Sequence, residues 1–345
     1  MESSSRSSGP MSPKRRFLSA LFGGRIDRPS VANPTSIATV ELMERTGSYF
    51  PDAHLDGEKM AILAAAGHDL LGYDTISPVF SVQQEAAALG CQVDWGDRQN
   101  MPVNTTSPFS EPDEIRIPAD FLDQPSIHAV LEAIRMLRSR YGDHVAIVGK
   151  VMGPWTLSYH LYGIQPFLID TIDNPDRVGR FLNVLKEVTV LFGQAQMRSG
   201  ADVLVVADHA TGDLVSPACY RDFLLPVHRE ITKRLGCPTI LHICGDTTNR
   251  LDHIATAGFD AFHFDSKVRA AEALRIVNGR ITLVGNVNNP QTLLHGSPEQ
   301  VKAETKALVA AGVTIIGPEC AVPLATPNRN LAAIVQAVEE GAGLI

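Results

Sequence analysis

No stretch of this chain approaches the ~20 consecutive apolar residues that cross a bilayer, so a spanning helix and a membrane partner are not expected. Cysteine is scarce: Cys91, Cys219, Cys237, Cys244 and Cys320 are the whole set. An odd, dispersed set in a large chain argues against a disulfide framework and for a reducing, cytoplasmic setting. Positive charge is also short, with 30 Lys and Arg against 38 Asp and Glu. The net charge is −8, with no basic stripe, and this excludes nucleic acid as the expected partner. Residues 1–16 are rich in Ser, Pro, Arg and Lys but have no apolar h-region, so they are not a secretory signal. They read as a flexible tail, with Met11 an alternative start. One Glu and two prolines count against a transit peptide. The remainder, residues 17–345, has the composition of an ordinary globular domain.

Short β-branched runs recur at residues 29–34, 73–78, 145–150, 203–208, 239–245, 261–265, 281–287 and 314–320. Helical spacing fills much of the chain between and around them, at 41–46, 57–71, 125–141, 175–199, 216–235, 249–257, 270–278, 297–311 and 328–341. Proline sits at first helical positions in Ser216-Pro217 and Ser297-Pro298, and glycine follows Ala257 and Ala311 as a stop. Alternation of apolar strands with helices implies a parallel sheet covered by helices. Eight such units predict a single α/β domain, a closed (β/α)8 TIM-type barrel with an N-terminal extension. Residues 81–123 are irregular and proline-bearing, and read as an insertion after the second strand that helps wall the site. No G-x-G-x-x-G follows the first strand, which weakens a dinucleotide-binding alternative.

In such barrels the chemistry sits where strands end. Asn33, Asp208, His242, Cys244, Asp265, Asn286, Glu319 and Cys320 all end strands here. In an extended strand His242 and Cys244 share a face. One imidazole and two thiolates suit Zn²⁺, and three protein ligands leave a fourth place that can exchange. On spacing alone a zinc site and a structural pair both stand. For the fourth place Asp265 ranks first, against a helix cap or an ion pair with Lys267. His263, two positions earlier on the same face, is the rival donor but lies deeper in its strand. Two thiolates and an imidazole bring the local charge of Zn²⁺ near zero. That makes it poor at hydrolysis but good at holding another sulfur as a thiolate at neutral pH. No H-E-x-x-H arrangement supports the competing use, water activation.

Leu241-His242-Ile243-Cys244-Gly245, Val284-Gly285-Asn286-Val287, Gly317-Pro318-Glu319-Cys320 and Thr326-Pro327-x-x-Asn330-Leu331 resemble the methylcobamide:coenzyme M methyltransferases of the uroporphyrinogen decarboxylase superfamily. Val40-Glu41-Leu42-Met43, Ala201-Asp202-Val203 and Ala207-Asp208 extend the resemblance over nearly the whole chain. It implies a zinc held by His242, Cys244 and Cys320 that binds the thiol of a small acceptor such as coenzyme M. The thiolate attacks the methyl group of a methyl-Co(III) corrinoid, giving a methyl thioether and a Co(I) corrinoid. The catalytic nucleophile is therefore the bound thiol and not a protein group. No D-x-H-x-x-G segment is present, so the corrinoid is expected from a small partner protein. The glutamate that completes the resting zinc in the family corresponds to Asp265.

The family has Gly where this chain has Glu319. A carboxylate there would repel a sulfonate, which leaves coenzyme M, other thiols and a folate open as acceptors. Asn33, Asp208, Asn286 and Glu319 are candidate substrate-binding residues, with a helix N-cap an equal reading for Asp208. His68, His160, Trp95 and Trp155 read as packing residues. The runner-up activity is decarboxylation, but that branch uses an Arg-Gln-Ala-Gly-Arg stretch where this chain has Ala32-Asn33-Pro34-Thr35-Ser36. A non-catalytic barrel with a structural metal is the third reading.

Overall fold

Eight short strands run parallel in the computed structural model, which describes residues 10–342. They are β1 (Ser30–Val31), β2 (Thr75–Ile76), β3 (Ala146–Met152), β4 (Val203–Ala207), β5 (Thr239–Ile243), β6 (Ala261–Phe264), β7 (Thr282–Val284) and β8 (Ile315–Ile316). Each of the eight expected runs meets one of them; seven contain theirs, and β3 extends two residues past its run at 145–150. β2 to β8 pair in chain order, and β8 pairs β1 with Ser30 opposite Ile315. The remaining seam, β1 to β2, has no ladder, and Asp74 closes it. Its N–H donates to Val31 O at 2.8 Å, and its carboxylate accepts the Val31 N–H at 2.8 Å. The sheet is thus a nearly closed (β/α)8 barrel.

Alternation along each strand sorts the side chains. Ala146, Val148, Val203, Val205, Ile240, Ala261, Val284 and Ile315 form one fully buried cluster inside the barrel. Their outward neighbours, such as Ile147, Val151, Leu204, Leu241 and Phe262, pack with the surrounding helices in the larger cluster. Helix Pro125–Tyr141 follows β2, Pro175–Ser199 follows β3 and Pro298–Ala311 follows β7. The last has its Ser297 N-cap with a reciprocal Gln300, a capping box.

The expected tail is shorter than 1–16. Residues 1–9 lie outside the described residues, but Pro13–Leu21 is a helix, N-capped by Ser12. Phe17, Ala20 and Leu21 enter the cluster inside the barrel and plug its N-terminal end. Burying Phe17 alone is worth about 1.5–3 kcal/mol. Arg16 is buried as well, against Asp27 and Asp74. Arg16 is therefore part of the fold, and Lys14 pairs with Asp202 at 2.6 Å.

Two further helices, Pro154–Leu161 and Ile164–Asp173, follow β3 where no helix was expected, because Pro154, Gly163 and Pro166 interrupt the pattern. The expected helix at 216–235 forms over residues 217–235, but not as a regular α-helix. A wide π-type turn at Tyr220–Leu224 precedes Leu225–Leu235, since Pro226 has no N–H for the ladder. The insertion after β2 holds a short helix, Gln84–Ala88, and an antiparallel hairpin pairing Val93 with Asn104. No helix among the described residues is long and apolar enough to cross a membrane.

Candidate metal centre

The ends of β5 and β8 carry the centre of the site. Pairing places His242 beside Ala207 of β4 and His263 of β6, at the C-terminal rim. His242 is buried, and its Nδ1 lies 3.2 Å from His263 O. A carbonyl only accepts, so Nδ1 carries the proton and Nε2 presents its lone pair. Nε2 faces Cys244 Sγ at 3.1 Å and Cys320 Sγ at 3.3 Å. The two sulfurs are 3.3 Å apart. Zinc bond lengths of about 2.3 Å to sulfur and 2.0 Å to nitrogen give tetrahedral edges of roughly 3.5–3.8 Å, so this triangle is slightly tight but of the right size. Among the described residues these three alone form a cluster of metal-binding donors.

Cys320 arrives from the other side of the barrel. Gly317 lets the chain turn in: a Cβ there would stand 1.8 Å from Ala32 O of the β1 exit. Asn33 then fixes the loop by donating to Cys320 O at 3.1 Å and Ser36 O at 2.7 Å. The hydrogen bond with Cys244 holds the Cys320 thiol well below its usual range, against the opposing effect of burial. The same bond pushes Cys244 well up. Cys91, Cys219 and Cys237 are each pushed up to about 11 by burial and stay protonated.

The other strand-end residues do something different from what their position suggested. Asp265 stays outside the triangle: its carboxylate accepts the N–H of Gly245 at 2.8 Å and of Lys267 at 2.9 Å, holding the turn after Cys244. His263 stays outside the triangle too: its Nε2 lies 2.8 Å from Pro318 O. Asp208 is fully buried and spent on scaffold contacts. It accepts from Thr156 N at 2.7 Å, capping Pro154–Leu161, and pairs with His228 at 3.0 Å. Asp208 is thus not the N-cap at its own strand exit but an acceptor for the first turn of the helix after β3. Asn286 donates to Asp265 O and Val268 O, tying two loops. Glu319 accepts from Ser266 N at 2.9 Å and Asn289 N at 2.7 Å, and burial raises its pKa. These two amides hold its carboxylate, so it braces three rim loops. Asn33, Asn286 and Glu319 thus all position the rim.

A pocket of about 120 Å³ opens beside the triangle, with His242 and Cys320 in its wall. Met101 and Pro102 of the insertion close one side, and Thr35, Lys150 and His209 supply polar groups. The sequence reading missed Lys150 and His209. Alternation along Ala146-Ile147-Val148-Gly149-Lys150 was the available signal, since it puts Lys150 on the inner face with Ala146 and Val148.

Residues 12–341 match the family described as uroporphyrinogen decarboxylase (URO-D). The chain is 35% identical to a methylated-thiol--coenzyme M methyltransferase from Methanosarcina mazei, over 96% of this chain and 90% of that protein. It is 34% identical to a methylcobamide:CoM methyltransferase from Methanosarcina barkeri, over 95% and 97%. A solved structure described as a methyltransferase from Methanosarcina mazei superposes with a TM-score of 0.93 at 33% identity, covering 96% of this chain and 99% of that one. The chain belongs to the uroporphyrinogen decarboxylase family, and within it to the methylcobamide:coenzyme M methyltransferases; it is a methyltransferase.

Proposed function

We propose that the chain moves a methyl group from a methylated corrinoid, carried by a separate small corrinoid protein, to a thiol held on zinc by His242, Cys244 and Cys320. The observation that carries this reading is the triangle of one imidazole nitrogen and two sulfurs, with edges of 3.1–3.3 Å, set in the wall of a small pocket. Zinc there supplies a thiolate at neutral pH whose sulfur keeps its nucleophilicity.

The residues around it divide the remaining work. His263 O fixes the tautomer of His242, the kind of outer contact that orients a metal-binding imidazole. Asp265 and Asn33 hold the turns that carry Cys244 and Cys320. With Asp265 engaged by backbone amides, the fourth place belongs to the incoming thiol. The pocket, about 120 Å³, admits a small thiol but not a corrin ring. A corrinoid would therefore stay at the mouth, with only its methyl group reaching the pocket. The relatives' names point to coenzyme M as the acceptor. A decarboxylase acting on a poly-acid finds no arginine in this pocket wall.

Zinc-loaded protein mixed with methylcobalamin and a panel of thiols should consume methylcobalamin only when both protein and thiol are present, releasing a methyl thioether and Co(I) corrinoid. Methyl transfer to tetrahydrofolate in place of every thiol, or to nothing, would contradict the reading.

A further inference from the structure

Lys150 is a buried cation with too few partners. It faces into the barrel from β3 and is 3% exposed. Its Nζ donates to Thr35 O at 3.0 Å, which occupies one of its three donors. Among the described residues no carboxylate lies within ion-pair distance of it. The nearest acidic influence inside the barrel is Glu85, whose carboxylate accepts the Met152 N–H at 2.8 Å. Burial pushes Glu85 up to about 7, so it is a weak counter-ion near neutrality. Burial also lowers Lys150 to about 8, opposed by the negative charge of Cys320 and Glu85. An ammonium held out of water at such a place is costly unless its charge is used.

What faces it is the donor triangle. Lys150 shares the pocket wall with His242 and Cys320. Burial pushes down the pKa of the other titratable side chain in that wall, His209, so it adds no cation there. A divalent ion, two thiolates and a neutral imidazole sum to zero. When a thiol binds there and gives its proton to solvent, the new sulfur bond brings the centre to −1. Asp265 and Glu319 already place negative charge near Cys244. The extra charge of the thiolate therefore calls for a nearby cation, and among the described residues Lys150 is the only ammonium or guanidinium lining this pocket.

We propose that Lys150 is the counter-cation of the incoming thiolate, a positioning residue that stabilises the metal-bound sulfur whatever the rest of the thiol carries. This rests on the zinc–thiol reading above. It differs from a role as an anchor for an acidic tail, which would act on anionic thiols alone.

The test compares zinc-loaded wild type, Lys150→Met and Lys150→Arg, titrated calorimetrically with 2-mercaptoethanesulfonate and with neutral 2-mercaptoethanol. Buffers of different ionisation enthalpy report the proton released. Lys150→Met is expected to bind both thiols about tenfold to a hundredfold more weakly, by similar factors. Lys150→Arg should recover much of the loss. Removing an unpaired buried charge relieves its desolvation, so the thermal midpoint of Lys150→Met should be unchanged or higher. Unaltered thiol affinity in Lys150→Met, a loss confined to the anionic thiol, or a loss accompanied by a lower midpoint would each overturn the proposal. Zinc-loaded wild type that binds neither thiol and releases no proton would remove the underlying zinc–thiol reading too.

Discussion

A Cys320→Ala variant should fold but bind no zinc, and methyl transfer should fall with it. Removing an outer contact of a metal ligand already weakens binding by about 10–100-fold, so losing one of three donors should cost more than about 100-fold in zinc affinity. The fold should survive for identifiable reasons. Cys320 lies in the loop after β8, is only partly buried, and is held through its backbone carbonyl by Asn33. Alanine keeps that carbonyl. Cys237→Ala is the matched control, since its partly buried thiol lies outside the triangle. Elemental analysis of the purified proteins, with circular dichroism to confirm folding, checks the result. A Cys320→Ala protein that retained full zinc and full transfer would defeat the assignment.

Asp74→Ala should be the most damaging single change outside the site. This carboxylate is 1% exposed and accepts from Arg16 Nη1 at 2.7 Å, Arg28 Nη1 at 3.2 Å, Ser30 Oγ at 3.1 Å and Val31 N at 2.8 Å. It therefore binds the N-terminal plug to the open seam between β1 and β2. Its removal strands a buried N–H and strips a partner from two guanidinium groups, and breaking such a buried pair costs about 3–5 kcal/mol. Arg16 keeps Asp27, which limits the damage to this range. Denaturant unfolding of Asp74→Ala against wild type measures it. A loss below about 1 kcal/mol would show that the seam closes without this residue. Zinc bound per folded chain should not change, because the triangle hangs on β5 and β8.

The sequence made some of this legible and hid the rest, for physical reasons. Strands buried on both faces are nearly continuous apolar runs, so all eight stood out, and the donors at the ends of two of them stood out with them. Pro13–Leu21 was hidden because its charge pattern is that of a solvated leader. Only Asp27 and Asp74, distant in the chain, make Arg16 a buried residue. Position at a strand end located Asp208, Asp265 and Glu319 at the rim but did not reveal where their oxygens were spent. Each turned out to satisfy backbone N–H groups of neighbouring loops, a demand set by loop geometry that no local pattern encodes. Lys150 was concealed in the opposite way. It looked like the polar end of a strand, whereas β3 continues two residues further, to Met152, and leaves it on the inner face.

The central claim, that His242, Cys244 and Cys320 hold a zinc that accepts a further sulfur, is open to direct measurement. X-ray absorption at the zinc edge of the loaded protein should show two sulfurs and one imidazole nitrogen in the first shell, rising to three sulfurs when a thiol is added. A sulfur count that stays at two in saturating thiol, or a protein that takes up no zinc, would contradict the account.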